Sequence, residues 1–210
     1  MIGYHYLMCA RYRLKTSLKH IAAALGVRPE EFEEFSEHPR LNIAISQRVP
    51  VIKFADGQRK GAIAEWGFRA PWDLSRRIFN AAGETAAVKP TFRESFRHRR
   101  CLIPADGFYE WPNRTPILIR SADDRLFCFA GLWSEATTTL ITCAPNGLMR
   151  PIHHRMPAIL RDEDCDEWLN PQSPTDRLQA LIASREWAGF VAEAIPPLKP
   201  DPANSPAAKP

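Results

Sequence analysis

No stretch of this 210-residue chain approaches the roughly eighteen consecutive apolar residues that a membrane span requires. The longest early apolar run, Ile21 to Leu25, is too short for a signal-peptide core, so the expected address is the cytoplasm. CxxC spacing is missing as well. The five cysteines, Cys9, Cys101, Cys128, Cys143 and Cys165, are scattered, which argues against a disulfide framework or a tetrahedral zinc site. The adjacent pair His153-His154 has neither HExxH spacing nor a third ligand, so no metal and no other cofactor is expected. There is no internal repeat and no interior linker.

What remains is an ordinary globular composition, 45% hydrophobic and 25% charged, enough for one domain with a substantial core. The net charge is +4, unevenly spread: an acidic cluster lies at Glu30 to Glu37 and a basic run at Lys89 to Arg100. Such segregation suits a polyanion-binding face, although charge alone equally describes a solvated surface.

Ser17 is placed to cap a helix whose apolar positions Leu18, Ile21, Ala22 and Leu25 follow the helical repeat, with Gly26 to end it. Short β-branched or aromatic runs at Asn42 to Ile52, Ala62 to Phe68, Cys101 to Trp111, Pro116 to Arg120, Leu126 to Trp133 and Thr137 to Thr142 predict strands. Ser173 and Pro174 read as the cap and first position of a late helix carrying Leu178, Leu181 and Ile182. Beyond Ile195 the Pro-rich composition predicts a disordered or extended tail. Together these predict a single α+β domain built on a mostly antiparallel, curved, barrel-like sheet with flanking helices.

Three segments carry candidate chemistry. In an extended chain Glu110 shares a face with Phe108, and a carboxylate desolvated there has its pKa raised toward neutrality; a glutamate on a half-exposed strand is the simpler reading of these residues alone. His153 and Arg155, two residues apart, place an imidazole and a guanidinium on one face, which suits proton transfer beside a phosphate. Asn80 offers two donors and an acceptor between the aromatic segment Trp66 to Trp72 and the basic run. Aromatics interleaved with arginines fit single-stranded nucleic acid, where bases stack on rings and cations track phosphates; core packing explains Trp66 and Trp72 equally well.

Taken in order, WGFRAPW (Trp66 to Trp72), FNAAGET (Phe79 to Thr85), KPTFRESFRHRRCLIPADGFYEW (Lys89 to Trp111), FAGLW (Phe129 to Trp133) and IHHRMPAIL (Ile152 to Leu160) closely resemble the SRAP family. These are SOS response-associated peptidase-like, abasic-site-processing proteins. The family begins Met-Cys-Gly-Arg, and its cysteine leads the chain once methionine is removed; the matching string is Met8-Cys9-Ala10-Arg11. The resemblance therefore implies a domain over residues 8–195, an extension at 1–7 arising from a misplaced start or a self-removed propeptide, and a tail at 196–210.

By resemblance, Cys9, Asn80, Glu110 and His153 are the catalytic residues, and Arg11, Trp66, Arg93, Trp111 and Arg155 meet the DNA strand. The implied function is that of a monomeric sensor of abasic sites in single-stranded DNA, cytoplasmic and nucleoid-associated when bound. It would crosslink to the lesion through a thiazolidine on Cys9, with peptidase-like self-processing and a possible lyase activity. Rival readings are a thiol peptidase pairing Cys9 with His153, and a non-catalytic single-strand binding module.

Three motifs depart from the family pattern, at four positions: Ala10 in MCGR, Ala82 and Gly83 in NARAE, and His154 in HDRMP. The arginine missing at Ala82 predicts weaker and less salt-sensitive strand binding. Ala82→Arg is expected to tighten binding and steepen the log-log salt dependence by about one unit, measured by fluorescence anisotropy with a single-stranded oligonucleotide. An unchanged affinity would remove this account of the departure.

Overall fold

The computed structural model describes residues 9–33, 35, 39–70 and 72–199. The expected extension at 1–7, most of the expected tail, and Glu34, Ser36 and Glu37 of the acidic cluster lie outside the described residues.

The chain opens with β1 (Arg11–Leu14), helix α1 (Leu18–Leu25), β2 (Arg40–Ala44), the hairpin β3 (Arg48–Ala55) and β4 (Gln58–Trp66), and a second hairpin, β5 (Phe68–Ala70) and β6 (Asp73–Ile78). A short β7 (Asn80–Ala82) runs into the four-residue helix α2 (Gly83–Ala86), followed by α3 (Arg93–His98), β8 (Arg100–Ala105) and β9 (Gly107–Glu110). Next come β10 (Ile117–Ser121), β11 (Phe127–Ser134) and β12 (Thr137–Cys143), then β13 (Met156–Pro157) and β14 (Ile159–Leu160). Helices α4 (Cys165–Leu169) and α5 (Thr175–Leu181) precede β15 (Phe190–Ala194).

Local signals account for α1 directly: the Ser17 hydroxyl accepts the His20 N–H at 3.2 Å, and Gly26 closes the helix with φ 66°. The late helix starts one residue after its expected first position. Pro174 stands at its cap, and the Ser173 hydroxyl instead donates to the Glu167 carbonyl at 2.7 Å.

Three runs that read as single strands are broken. The run Ala62 to Phe68 divides at Gly67, which sends β4 and β5 to different sheets. The run Asn42 to Ile52 divides at a turn where Ser46 takes φ 67°. The run Cys101 to Trp111 divides at Asp106, whose carboxylate is fully buried and accepts the backbone N–H groups of Lys15 and Thr16 at 2.7 and 2.9 Å, with Arg13 Nε 3.2 Å away. A buried carboxylate holds its place only where donors meet it, and the loop after β1 supplies them. Gly107 follows because a Cβ there would lie 2.7 Å from Arg13 Nε and 2.9 Å from Leu118 Cδ1.

The Asp106 break delivers β8 and β9 to different sheets. One sheet runs β15-β10-β9-β1-β2; the other runs β13-β12-β4-β3-β8-β11-β14, with β7 beside β12. Since β12 also pairs β11, the larger sheet curls round on itself, and its ladders are antiparallel except where β12 meets β4 and β7. This is the α+β, mostly antiparallel and curved architecture expected from the sequence, although the curl stops short of a regular barrel. No helix of the described residues is long and apolar enough to cross a membrane.

Between the sheets lies an aromatic core. Tyr12 packs edge-on against Trp66 and Phe129, with ring centroids 5.5 and 5.9 Å apart, and Phe108 meets Phe129 at 6.0 Å. The last member of the basic run, Arg100, points inward. Only 4% exposed, its guanidinium donates to the carbonyls of Phe96 and Arg97 at the end of α3, and of Trp168 and Asn170 at the end of α4. It thereby satisfies helix carbonyls that have no intrahelical partner. Arg100→Met is expected to cost about 3–5 kcal/mol, because several charge-assisted hydrogen bonds are lost together and their acceptors stay buried. A urea midpoint lowered at constant slope would measure it.

Candidate active site

Cys9 stands two residues before the first pair of β1, a strand held on both sides: Arg11 pairs Ala44 of β2 and Tyr109 of β9. The pairing with β9 sets Glu110, the last residue of that strand, beside the start of β1. The Cys9 backbone N–H donates to Glu110 Oε1 at 2.6 Å. Both residues are buried, Cys9 at 0% and Glu110 at 4% exposure.

Burial sets the electrostatics of this pair. It pushes the Glu110 carboxyl up to about 7, with the Cys9 N–H pulling the other way because it favours the ionised form. The Cys9 thiol is driven well above its ordinary range, first by burial and then by the neighbouring Glu110 charge. Backbone strain adds to this, since Cys9 takes φ 47°, a left-handed conformation that costs a residue with a Cβ about 1–2 kcal/mol.

Asn80 opens β7, where it is half-buried opposite Leu140 of β12. The carbonyl before it is fixed twice: Phe79 O accepts the Trp66 indole N–H at 2.8 Å and the Leu140 N–H at 3.2 Å. Trp66 is therefore a core residue at 1% exposure, which corrects the expectation that it faces a bound strand; the aromatic packing with Tyr12 draws it inward.

His153 lies in the turn after β12. Its Nδ1 accepts the Arg155 backbone N–H at 3.1 Å, so the neutral ring carries its proton on Nε2. The ring stacks on His154 with centroids 4.3 Å apart. Burial, and then the His154 charge, hold the His153 pKa below the ordinary histidine value. At neutral pH it is thus a neutral Nε2–H donor.

One direct contact within the expected quartet joins Cys9 to Glu110. Asn80 and His153 are related through β12, since Thr142 pairs with Ala82 of β7 on one side and Pro157 of β13 on the other. Among the expected strand-binding residues, Arg93 is exposed on α3 and Trp111 is half-buried with its ring 6.2 Å from Tyr109. Arg11 Nη1 donates to Asn42 Oδ1 at 2.8 Å, and Asn42 Nδ2 reaches the Lys199 carbonyl at 2.8 Å. Arg155 is not an uncommitted cation. It makes a bidentate pair with Glu84 at 2.6 and 2.8 Å and also donates to the Thr142 carbonyl at 2.8 Å.

Sequence reasoning missed Glu84, Asn42 and Tyr12. Glu84 sits in the same motif as Asn80, but a carboxylate whose partner is 71 positions away leaves no periodic signal. Among the described residues no three His, Cys, Asp or Glu side chains converge as a metal site.

Comparison with known proteins follows the same residues. A family model described as SOS response associated peptidase (SRAP) matches residues 8–196. The chain is 35% identical over 218 aligned positions to the abasic site processing protein YoqW of Bacillus subtilis, covering 94% of this chain and 96% of that one. It is 27% identical to the abasic site processing protein YedK of Escherichia coli, covering 84% and 86% of the two chains. A crystal structure of a Bacteroides thetaiotaomicron protein shares the fold with a TM-score of 0.79 at 24% identity, over 90% of this chain and 92% of that one.

The raised Glu110 carboxyl has a consequence for stability. Its titration moves from 4.5 when exposed to about 7 in the fold. The native state therefore binds the proton more tightly: the stability this contributes is fully present below pH 4.5 and lost as pH rises through 7. At about 1.4 kcal/mol per unit the loss is about 3 kcal/mol. Glu110→Gln does not titrate, so its stability relative to wild type should rise by about that amount between pH 4 and 8 in urea unfolding. A difference that stays flat across this range would exclude the raised carboxyl.

Proposed function

This chain belongs to the SOS response associated peptidase (SRAP) family, and on that premise we propose that it captures abasic sites in single-stranded DNA covalently through Cys9. The observation that carries the reading is the 2.6 Å contact between the Cys9 nitrogen and Glu110. When Cys9 is the first residue, that nitrogen is an α-amine, the group that condenses with the aldehyde of an opened deoxyribose.

An α-amine titrates near about 7.7–8.0, and burial against a carboxyl favours the neutral pair of amine and carboxylic acid over the ion pair. The neutral amine adds to the aldehyde carbon, and Glu110 supplies the proton with which the carbinolamine hydroxyl leaves as water, then takes back the proton on the iminium nitrogen to leave a neutral C=N bond. The thiol of the same residue then adds across the C=N bond, sulfur to carbon and its proton to nitrogen. The product is a five-membered thiazolidine, formed with net loss of one water. With both nucleophilic atoms on one residue, ring closure needs no second encounter. Asn80 orients the amine and the sugar, and the Nε2–H of neutral His153 stabilises the sugar oxygens as charge develops. Arg11, Arg93 and Trp111 guide the strand. The site of action is DNA in the cytoplasm and nucleoid, by a monomer.

A second reading concerns how Cys9 becomes terminal, and the strained φ of 47° at Cys9 favours it. Attack of the thiol on the Met8 carbonyl gives a thioester and frees the amine, the thiol proton passing to the departing nitrogen by way of Glu110; water then cleaves the thioester. A start at Met8 with ordinary methionine removal reaches the same terminus.

Intact-mass analysis tests the main reading. A chain beginning at Cys9, incubated with an abasic oligonucleotide, is expected to give an adduct of the summed masses less one water that survives denaturation without borohydride. Cys9→Ala and an α-acetylated chain should give none, and Glu110→Gln should form it about a hundredfold more slowly. A stable adduct of the same mass on Cys9→Ala would overturn the mechanism.

A further inference from the structure

Glu84 is half-exposed, and an exposed ion pair generally adds little to stability, so its geometry with Arg155 asks for another reason. The pair is bidentate, 2.6 and 2.8 Å, and Arg155 Nη2 also donates to the Thr142 carbonyl at 2.8 Å and hydroxyl at 3.2 Å. Thr142 lies on β12 at the position flanked by Ala82 of β7 and Pro157 of β13. Glu84 follows β7 by two residues, and β7 begins with Asn80. At the other end, the backbone N–H of the same Arg155 holds His153 Nδ1 at 3.1 Å. One arginine therefore fixes the imidazole with its main chain and grips the Asn80-bearing segment with its side chain.

From this we infer that Glu84 is a positioning residue, which through Arg155 sets the His153 turn against the strand that carries Asn80. The inference rests on the proposed crosslinking reaction. It also assigns the Arg155 charge mainly to Glu84 rather than to a DNA phosphate. A planar, two-pronged pair fixes orientation as well as distance, which a lysine or a single hydrogen bond would not do. Supports of this kind, one step removed from the reacting atoms, typically change rates by about 10–100-fold when lost.

Single-turnover crosslinking to an abasic single strand, with chains beginning at Cys9, distinguishes the alternatives. Glu84→Gln is expected to lower the maximal rate about tenfold while leaving the half-saturating strand concentration, the unfolding midpoint and the salt dependence of binding to an intact strand unchanged. The double variant Glu84→Gln/Arg155→Gln should be no slower than the slower single variant, since both remove one device. A Glu84→Gln chain that crosslinks at the wild-type rate overturns the proposal, as do additive rate losses. A half-saturating concentration and salt slope that shift with Glu84→Gln also overturn it, because Glu84 would then be only a competitor for a phosphate-binding arginine. A wild-type chain that forms no adduct overturns the functional reading itself.

Discussion

The hydrogen bond from the Cys9 nitrogen to Glu110 is the contact on which the site depends, and it is made by strand register rather than by either residue alone. β1 is fixed between β2 and β9, so the start of one strand and the end of its neighbour must lie side by side. The bend at Asp106 makes this possible by separating β8 from β9 and sending β9 into the smaller sheet. The same carboxylate binds the loop after β1, so the element that creates the bend also anchors the strand that follows Cys9.

The other residues of the proposed site are held by core interactions of their own. Tyr12 on β1 packs against Trp66, Trp66 donates to the carbonyl of Phe79, and Asn80 is the next residue. On the far side of β12, Arg155 joins the His153 turn to Glu84 just beyond β7. An aromatic core and a two-pronged ion pair thus position groups that come from four separate stretches of chain.

Burial is what gives the pair its chemistry, and the same burial works against the fold at higher pH. Removing Glu110 from water lifts its carboxyl to about 7, where it both accepts and gives up protons near neutrality. It also holds the Cys9 sulfur in its protonated form, the form that the proposed ring closure uses. His153 is kept neutral by the same physics acting on the opposite charge type.

By itself the sequence determined α1, with its Ser17 cap and Gly26 terminus, because capping and helical periodicity are relations between residues at most a few positions apart. Alternation also put Glu110 on one face with Phe108, but it left open whether that face is buried; β9 is in fact buried on both faces, Tyr109 included, which only the packing of the two sheets decides. The tertiary structure decided the rest. It put Trp66 inside, since the ring packs on Tyr12 from a strand 54 positions away, and it turned Arg100 from a surface cation into a cap for two helices. It committed Arg155 to Glu84 and brought Cys9 to Glu110 across 101 positions. Local pattern reports which face a side chain shares with its near neighbours. Which distant group meets it there is fixed by strand order, register and the position of one buried bend, and these exist only once the chain has closed on itself.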